Sequence, residues 1–214
     1  MGMILLKRVA YKLVRKRRDG SLGSLFINKK AIIPIGTWLE SEDHFTKGYK
    51  HRPGWHLTFK KFAPHLSMKD RVWVKAEVDD YEVHVRPISQ GGRWILAKRM
   101  KVIEICSRGE CNLNVSCLGS RSWLDVEAVS YELSSIKYKC NSPITINHRG
   151  NEGVDKIVDS VGRREGFSVL RSEDLLNEDT DMLLFFKRNG NTEDDHIVEE
   201  AKSMNIPVKI INGW

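Results

Sequence analysis

Three groups of residues in this 214-residue chain have the types and the spacing to grip an anion. Gly119-Ser120-Arg121 follows the apolar run Leu113 to Leu118. Gly150-Asn151-Glu152-Gly153, with Asp155 just beyond, follows Ile144 to Asn147. Gly190-Asn191-Thr192 follows Met182 to Phe186 and leads into Glu193-Asp194-Asp195. Glycine lets backbone come close to a bound group, and the N–H groups of a turn that opens a helix favour phosphate. Arg121 adds a cation able to make paired hydrogen bonds to phosphate oxygens. A carboxylate such as Asp195 could act on a bond of the held molecule as an acid or an electrostatic stabiliser. Each group also has a plainer reading. Gly119 and Ser120 make a strand-to-helix turn, Asp155 suits the first turn of a helix, and Asn191 or Thr192 would serve as an N-cap before acidic residues. Trp123 either stacks on a base or covers the sheet, and burial is the simpler role.

The elements that must hold these groups are legible from periodicity. Val126, Val129, Leu133 and Ile136 recur at helical spacing, as do Val154, Ile157, Val158 and Val161, and Ile197, Val198 and Ala201. Asn205 is suited to a left-handed cap, and Pro207 opens a last strand, Val208 to Ile211. With Phe167 to Leu170 added, the order is strand, helix, strand, helix, strand, strand, helix, strand. Alternation of this kind predicts a parallel sheet with right-handed crossovers. Residues 111–214 therefore read as one α/β Rossmann-like domain with the three turns on one rim.

At these turns the sequence resembles a known family. Leu118-Gly119-Ser120-Arg121, Gly150-Asn151-Glu152-Gly153-Val154-Asp155 and Asn189-Gly190-Asn191-Thr192-Glu193-Asp194-Asp195 are similar, in order, to the three fingerprints of the SLOG superfamily. Its YspA-like branch also has a closing Ile-Pro-Val strand, present here as Ile206-Pro207-Val208. The resemblance covers about half the chain. It implies a nucleotide-binding domain in which Gly119, Ser120, Arg121, Gly150, Asn151, Glu152, Gly153, Asp155, Gly190, Asn191 and Thr192 contact the ligand. The superfamily includes phosphoribohydrolases, the DNA-processing protein A family and the ligand-sensing domain of Thoeris effectors. Its third motif commonly runs Pro-Gly-Gly-x-Gly-Thr-x-x-Glu. Here asparagines replace glycines, and Asp195 stands one methylene short of the Glu that assists N-glycosidic cleavage.

Charge divides the chain at the same place. Residues 1–110 hold 23 Lys and Arg against 11 Asp and Glu, while residues 111–214 hold 12 against 17. The first half is rich in β-forming runs: Tyr11 to Arg15, Ser24 to Asn28, Ile32 to Ile35, Trp55 to Phe59, Arg71 to Val78, Tyr81 to Val85 and Trp94 to Ile105. It reads as a basic, mostly antiparallel β module over residues 1–110, giving the whole chain an α+β character. Around His51-Arg52-Pro53-Gly54-Trp55-His56 and Ala63-Pro64-His65 it resembles uncharacterised domains of phages and mobile elements. Lys12, Arg15, Lys16, Arg17 and Arg18, and again Lys98, Arg99 and Lys101, form basic clusters. They are either solvated hairpin surface or an electrostatic footprint for nucleic acid. His51, His56 and His65 read as turn histidines beside an aromatic rather than as a catalytic or metal cluster. Cys106, Cys111, Cys117 and Cys140 lack C-x-x-C spacing and read as free, buried or half-buried thiols.

No apolar run approaches the roughly 18 residues of a membrane span, and Met3 to Leu6 is too short for a signal-peptide core. The expectation is a cytoplasmic protein, in the host cytoplasm if a phage encodes it, with no membrane partner. Nothing in the sequence calls for a cofactor or metal. The preferred reading is a protein that senses or sequesters a nucleotide-derived ligand, an ADP-ribose or cyclic nucleotide species, as an anti-defence device of a phage. Two alternatives stand beside it. One is an N-glycosidase-like enzyme using Asp195, and the other is a single-stranded nucleic-acid binder that uses the basic half. A homo-oligomer is compatible with all three.

Overall fold

The computed structural model describes residues 8–44, 51–106, 111–140, 142–190 and 192–213. It is a mixed α/β structure of two compact units, one drawn from Met1–His84 and Trp94–Gly109, the other from Val85–Arg93 and Glu110–Trp214.

The first unit is built on β1 (Arg8–Lys16), β2 (Leu22–Gly23), β3 (Trp38–Glu40), β4 (Trp55–Thr58), β5 (Arg71–Val85) and β6 (Arg93–Ile105). Strand β1 pairs antiparallel with β2, β4 and β5, and β6 pairs antiparallel with β3 and β4. Because β5 also pairs with β6, the pairings run β1–β4–β6–β5 and return to β1. The sheet thus closes into a small barrel, which leaves fewer unpaired edges. Alternation places Val72, Val74, Ala76 and Val78 of β5 inward, where they meet Ala10, Val14, Leu57, Ile95 and Ala97.

Three local expectations for this half need correction. The runs 71–78 and 81–85 form one strand, with Asp80 at φ +44° inside it rather than a break. Ser24 to Asn28 is not a strand, and Ile32 and Ile35 make only isolated bridges, to Gly23 and Val102. Between these two runs the Arg17 guanidinium donates to the carbonyls of Lys29, Lys30 and Ala31 at 2.8–2.9 Å and so serves the backbone of the turn that joins them. Strand β3, three residues long, is too short to show alternation in the sequence.

The second unit holds β7 (Leu113–Gly119), α1 (Val126–Cys140), β8 (Ile144–His148), α2 (Val154–Arg164), β9 (Ser168–Arg171), β10 (Thr180–Arg188), α3 (Asp195–Ser203) and β11 (Val208–Gly213), with a short 3-10 helix at Ile88–Gln90. Its sheet runs β11-β10-β7-β8-β9, every pairing parallel. Asp125 starts α1 by accepting the Ala128 N–H at 2.8 Å. The expected apolar face of α1 holds at Val129, Leu133 and Ile136, but Val126 in its first turn is exposed. Helix α3 packs Ile197, Val198 and Ala201 on Leu118, Leu183 and Phe185. Helix α1 lies on the other face. Its Glu132 takes Lys209 of β11 at 2.5 Å, while the adjacent Val208 packs on the α3 side. Asn205, at φ +56°, ends the α3 segment in the expected left-handed conformation. No helix among the described residues is long and apolar enough to cross a membrane.

Candidate functional site

The strand order reverses between β7 and β10. From β7 the chain crosses by α1 to β8, and from β10 it crosses by α3 to β11, on the opposite face. In open parallel sheets the carboxyl edge at such a reversal is the usual place for a ligand. The groups 119–121, 150–153 and the residues around Gly190 all follow the carboxyl ends of β7, β8 and β10, which are neighbours in the sheet.

Packing ties these turns together through Ser120, which is 3 % exposed. Its N–H donates to the Phe186 carbonyl at 3.0 Å, and its own carbonyl accepts the N–H groups of Trp123 at 3.1 Å and Val154 at 3.3 Å. A Cβ on Gly119 would come within 2.9 Å of the Phe186 carbonyl carbon, closer still to its oxygen, so β7 and β10 meet there only because the side chain is a hydrogen. Gly153 sits at φ +68°, ψ −119°, and a Cβ there would press on the Ser120 and Arg121 carbonyl oxygens. Trp123 is buried at this joint. Its ring meets Phe186 edge-on at 5.5 Å and its Nε1–H donates to the Asp125 carbonyl at 2.9 Å. It is a core residue rather than a stacking platform.

The carboxylates of the rim are mostly committed. Asp155, 2 % exposed, accepts the Asn151 N–H at 2.9 Å and so organises the second turn from within. Glu152 pairs with Lys156 at 2.6 Å on the surface. Each member of the acidic triplet before and at the start of α3 takes a cation from a different place. Glu193 lies 4.0 Å from Arg121, Asp194 3.6 Å from Arg149, and Asp195 receives Lys187 on both oxygens at 2.7 Å. Burial pushes the Asp194 carboxyl up, against the pull of Arg149. Asp194 is the N-cap of α3 and makes no side-chain cap bond, so the cap falls two residues after Thr192 and three after Asn191. Gly190 and Thr192 are exposed, and Asn191 lies outside the described residues.

Arg149 and Lys187 fall within the second and third turns as the sequence delimits them, His148 to Gly153 and Lys187 to Thr192, but the sequence reading singles out neither as a contact residue. It does not single out His148 either. Fully buried at the end of β8, His148 shares its Nε2 with Asp159 at 3.2 Å, and the Asp159 carboxyl is held down at about 2, chiefly by the Arg163 guanidinium bonded to it at 2.8 and 3.1 Å. Beside these residues a cleft of about 100 Å³ is lined by Arg149, Glu173, Asp174, Leu176, Ile197 and Glu200. A larger cavity, about 490 Å³, lies at the other end of the strands, by Met182 and Pro207. Small-molecule pockets usually span about 300–1,000 Å³. The cavity by Met182 and Pro207 falls in that range, and the cleft by Arg149 is smaller.

In the first unit the candidate basic clusters are largely engaged. Lys98 pairs with Asp80, Arg99 with Glu40 and Asp79, and Lys101 with Glu77. Arg17 holds the 29–31 carbonyls and Lys12 donates to the His56 carbonyl, which leaves Arg15, Lys16 and Arg18 of that cluster. His56 and His65 both pack on Trp94, at 6.1 and 5.9 Å between ring centres, and His51 meets Asp43 at 3.2 Å. Among the described residues no group of three His, Cys, Asp or Glu could hold a metal ion. All four cysteines are free, Cys117 and Cys140 buried, Cys106 and Cys111 half-buried. Set against family models, curated proteins and solved structures, the chain matches none.

Proposed function

We propose that the second unit is a Rossmann-like, SLOG-type domain that binds a nucleotide-derived anion, such as an ADP-ribose or cyclic nucleotide species, at the carboxyl rim between β7 and β10. The observation that carries this reading is the placement of Arg121 and Arg149, paired only loosely with Glu193 at 4.0 Å and Asp194 at 3.6 Å, on the turns after β7 and β8 beside the reversal of strand order. Arginines can grip phosphate through two parallel hydrogen bonds, and the start of α2 adds favourable backbone dipoles. Capture rather than cleavage is favoured because both oxygens of Asp195, the one candidate acid, are already bonded to Lys187. Nucleic-acid binding by the first unit would have to rest on Arg15, Lys16 and Arg18, since Lys98, Arg99, Lys101 and Arg17 are engaged within that unit. A role in blunting host signalling from within the cytoplasm follows from the resemblance of the first half to phage-borne domains.

The test is calorimetric titration of the full chain with ADP-ribose, NAD⁺ and cyclic dinucleotides. Arg121→Ala and Arg149→Ala should each weaken the active ligand by tenfold or more, since a charge-assisted hydrogen bond contributes about 1.5–3 kcal/mol. A triple change of Arg15, Lys16 and Arg18 to Ala should leave affinity within a fewfold. The reverse ranking, with steep salt dependence on single-stranded DNA, would move the function to the first unit. Release of free base lost in Asp195→Asn would establish the hydrolase reading instead.

A further inference from the structure

The cavity of about 490 Å³ lies at the amino ends of β10 and β11, the end of the sheet away from the rim, and every residue that lines it belongs to the second unit. Strand alternation sets its floor. Leu183 and Val208 pack with α3, so Met182 and Lys209, one position along on each strand, face the side that α1 covers. Another wall is the 3-10 turn Ile88–Gln90 with the residues leading into it, which lies against α1. This wall is held by its own backbone. The Arg86 N–H donates to the Gly92 carbonyl at 2.8 Å, and the Gln90 and Gly91 N–H groups donate to the Pro87 and Ile88 carbonyls at 2.8 and 2.9 Å. Gly92, at φ +68°, seats the loop on the sheet, for a Cβ there would stand 3.3 Å from Ile88 Cδ1 and 3.7 Å from Pro207 Cγ. The cavity is therefore part of the fold rather than a gap under a loose loop.

Its lining sorts by polarity. Ile88, Met182, Pro207 and Val208 offer apolar surface, Arg86, Lys139 and Lys209 offer cations, and no lining residue is acidic. Lys209 already has a counter-charge in Glu132, at 2.5 Å. Asp181, next to Met182 on β10, is engaged with β7, where it accepts the Asn114 N–H at 2.8 Å. Lys139 is exposed in the last turn of α1 and makes no ion pair among the described residues. The glycine turns and helix starts that favour phosphate are at the other end of the strands. An apolar interior with a cation at its solvent edge suits a ligand of the same construction and opposite sign.

We propose that this cavity is a second binding site, specific for a small amphipathic monoanion, an aliphatic carboxylate of medium chain length. The chain lies along Ile88, Met182 and Pro207, and the carboxylate meets Lys139 at the edge, within the positive potential of Arg86. The site stands apart from the rim and does not depend on what the rim holds.

The test is a titration of the full chain, with isotope-labelled methionine methyl groups followed by NMR, using butyrate, hexanoate and octanoate below micelle-forming concentrations. The Met182 signal, identified by its loss in Met182→Leu, should shift and saturate. Affinity should tighten on the order of tenfold with each two added carbons, since a buried methylene favours binding by about fourfold. Octanol, which has the chain without the charge, should bind about threefold or more weakly than octanoate, and octyltrimethylammonium should give no saturable shift. Lys139→Glu, at an exposed position, should weaken octanoate by about fivefold and leave octanol nearly unchanged. A Met182 signal that stays in place, an affinity indifferent to chain length, octanol binding as tightly as octanoate, or saturable binding of the ammonium would each overturn the proposal. So would a Lys139→Glu chain that holds octanoate as tightly as the parent.

Discussion

Replacing Gly153 with alanine should be the most damaging single methyl addition at the rim, and its cost can be built from the local geometry. The backbone there, at φ +68°, ψ −119°, lies in a region that only glycine occupies freely, so a side chain adds about 1–3 kcal/mol of strain. The new Cβ would lie 2.5 Å from the Ser120 carbonyl oxygen and against that of Arg121. Both are backbone atoms of a turn whose bond from the Val154 N–H, at 3.3 Å, must open to make room. Overpacking of this kind costs about 1–3 kcal/mol, and the lost hydrogen bond about 1 kcal/mol. The sum, about 3–7 kcal/mol, is a large part of the roughly 5–15 kcal/mol that holds a typical domain. Gly190, at φ +81° with open space around its Cβ position, should cost only about 1 kcal/mol in the same exchange. The described α-helices all belong to the second unit, so guanidinium titrations followed in the helical circular-dichroism band report on it. If Gly153→Ala and Gly190→Ala shift the midpoint equally, the turns are not locked through Ser120 as argued.

Three further outcomes follow from the structure. The Asp159 carboxyl, held at about 2 by Arg163, has a folded value below its unfolded one, so its contribution is complete above about pH 4 and lost as the pH falls through 2. Urea midpoints of Asp159→Asn should therefore vary less than those of the parent over that window, and equal slopes would refute the assignment. Arg17→Ala should destabilise the first unit by about 2 kcal/mol through its three carbonyl contacts, with exchange of the amide protons between residues 22 and 34 accelerated in hydrogen-exchange spectra. Under native conditions a maleimide should modify Cys106 and Cys111 before Cys117 and Cys140, whose burial raises both thiols, Cys140 to about 11. Early loss of Cys117 in the mass map would contradict its placement on β7.

The second half was readable because its helices carry apolar residues at regular spacing and its central strands β7, β8 and β10 are short runs buried on both faces. Five strands and three helices were legible there, and the placement of the three turns followed from chain order alone. The barrel was harder. Its closure depends on pairings between β1, β4, β5 and β6, and no local pattern announces which strands will neighbour one another. Ser24 to Asn28 has a composition that suits a strand, yet it forms bends and joins no ladder. At the rim, the small and polar turn residues were legible, but the partners of each charge were not. Arg149 and Lys187 gained their importance only when α3 brought Glu193, Asp194 and Asp195 opposite them.

The segment linking β5 to β6, Val85–Arg93, belongs to the second unit although both strands build the first. The chain therefore passes between the units three times, and the two are not beads on a string. No single proteolytic nick can liberate a complete second unit. A piece beginning at residue 111 would lack Ile88, 8 % exposed, and Arg93, whose guanidinium donates to the Glu178 carbonyl at 2.6 Å. Genetic exchange faces the same constraint. A crossover between the halves would hand a recipient either a barrel carrying a foreign loop or a parallel sheet missing one, so the two units are bound to be inherited, and to change, together.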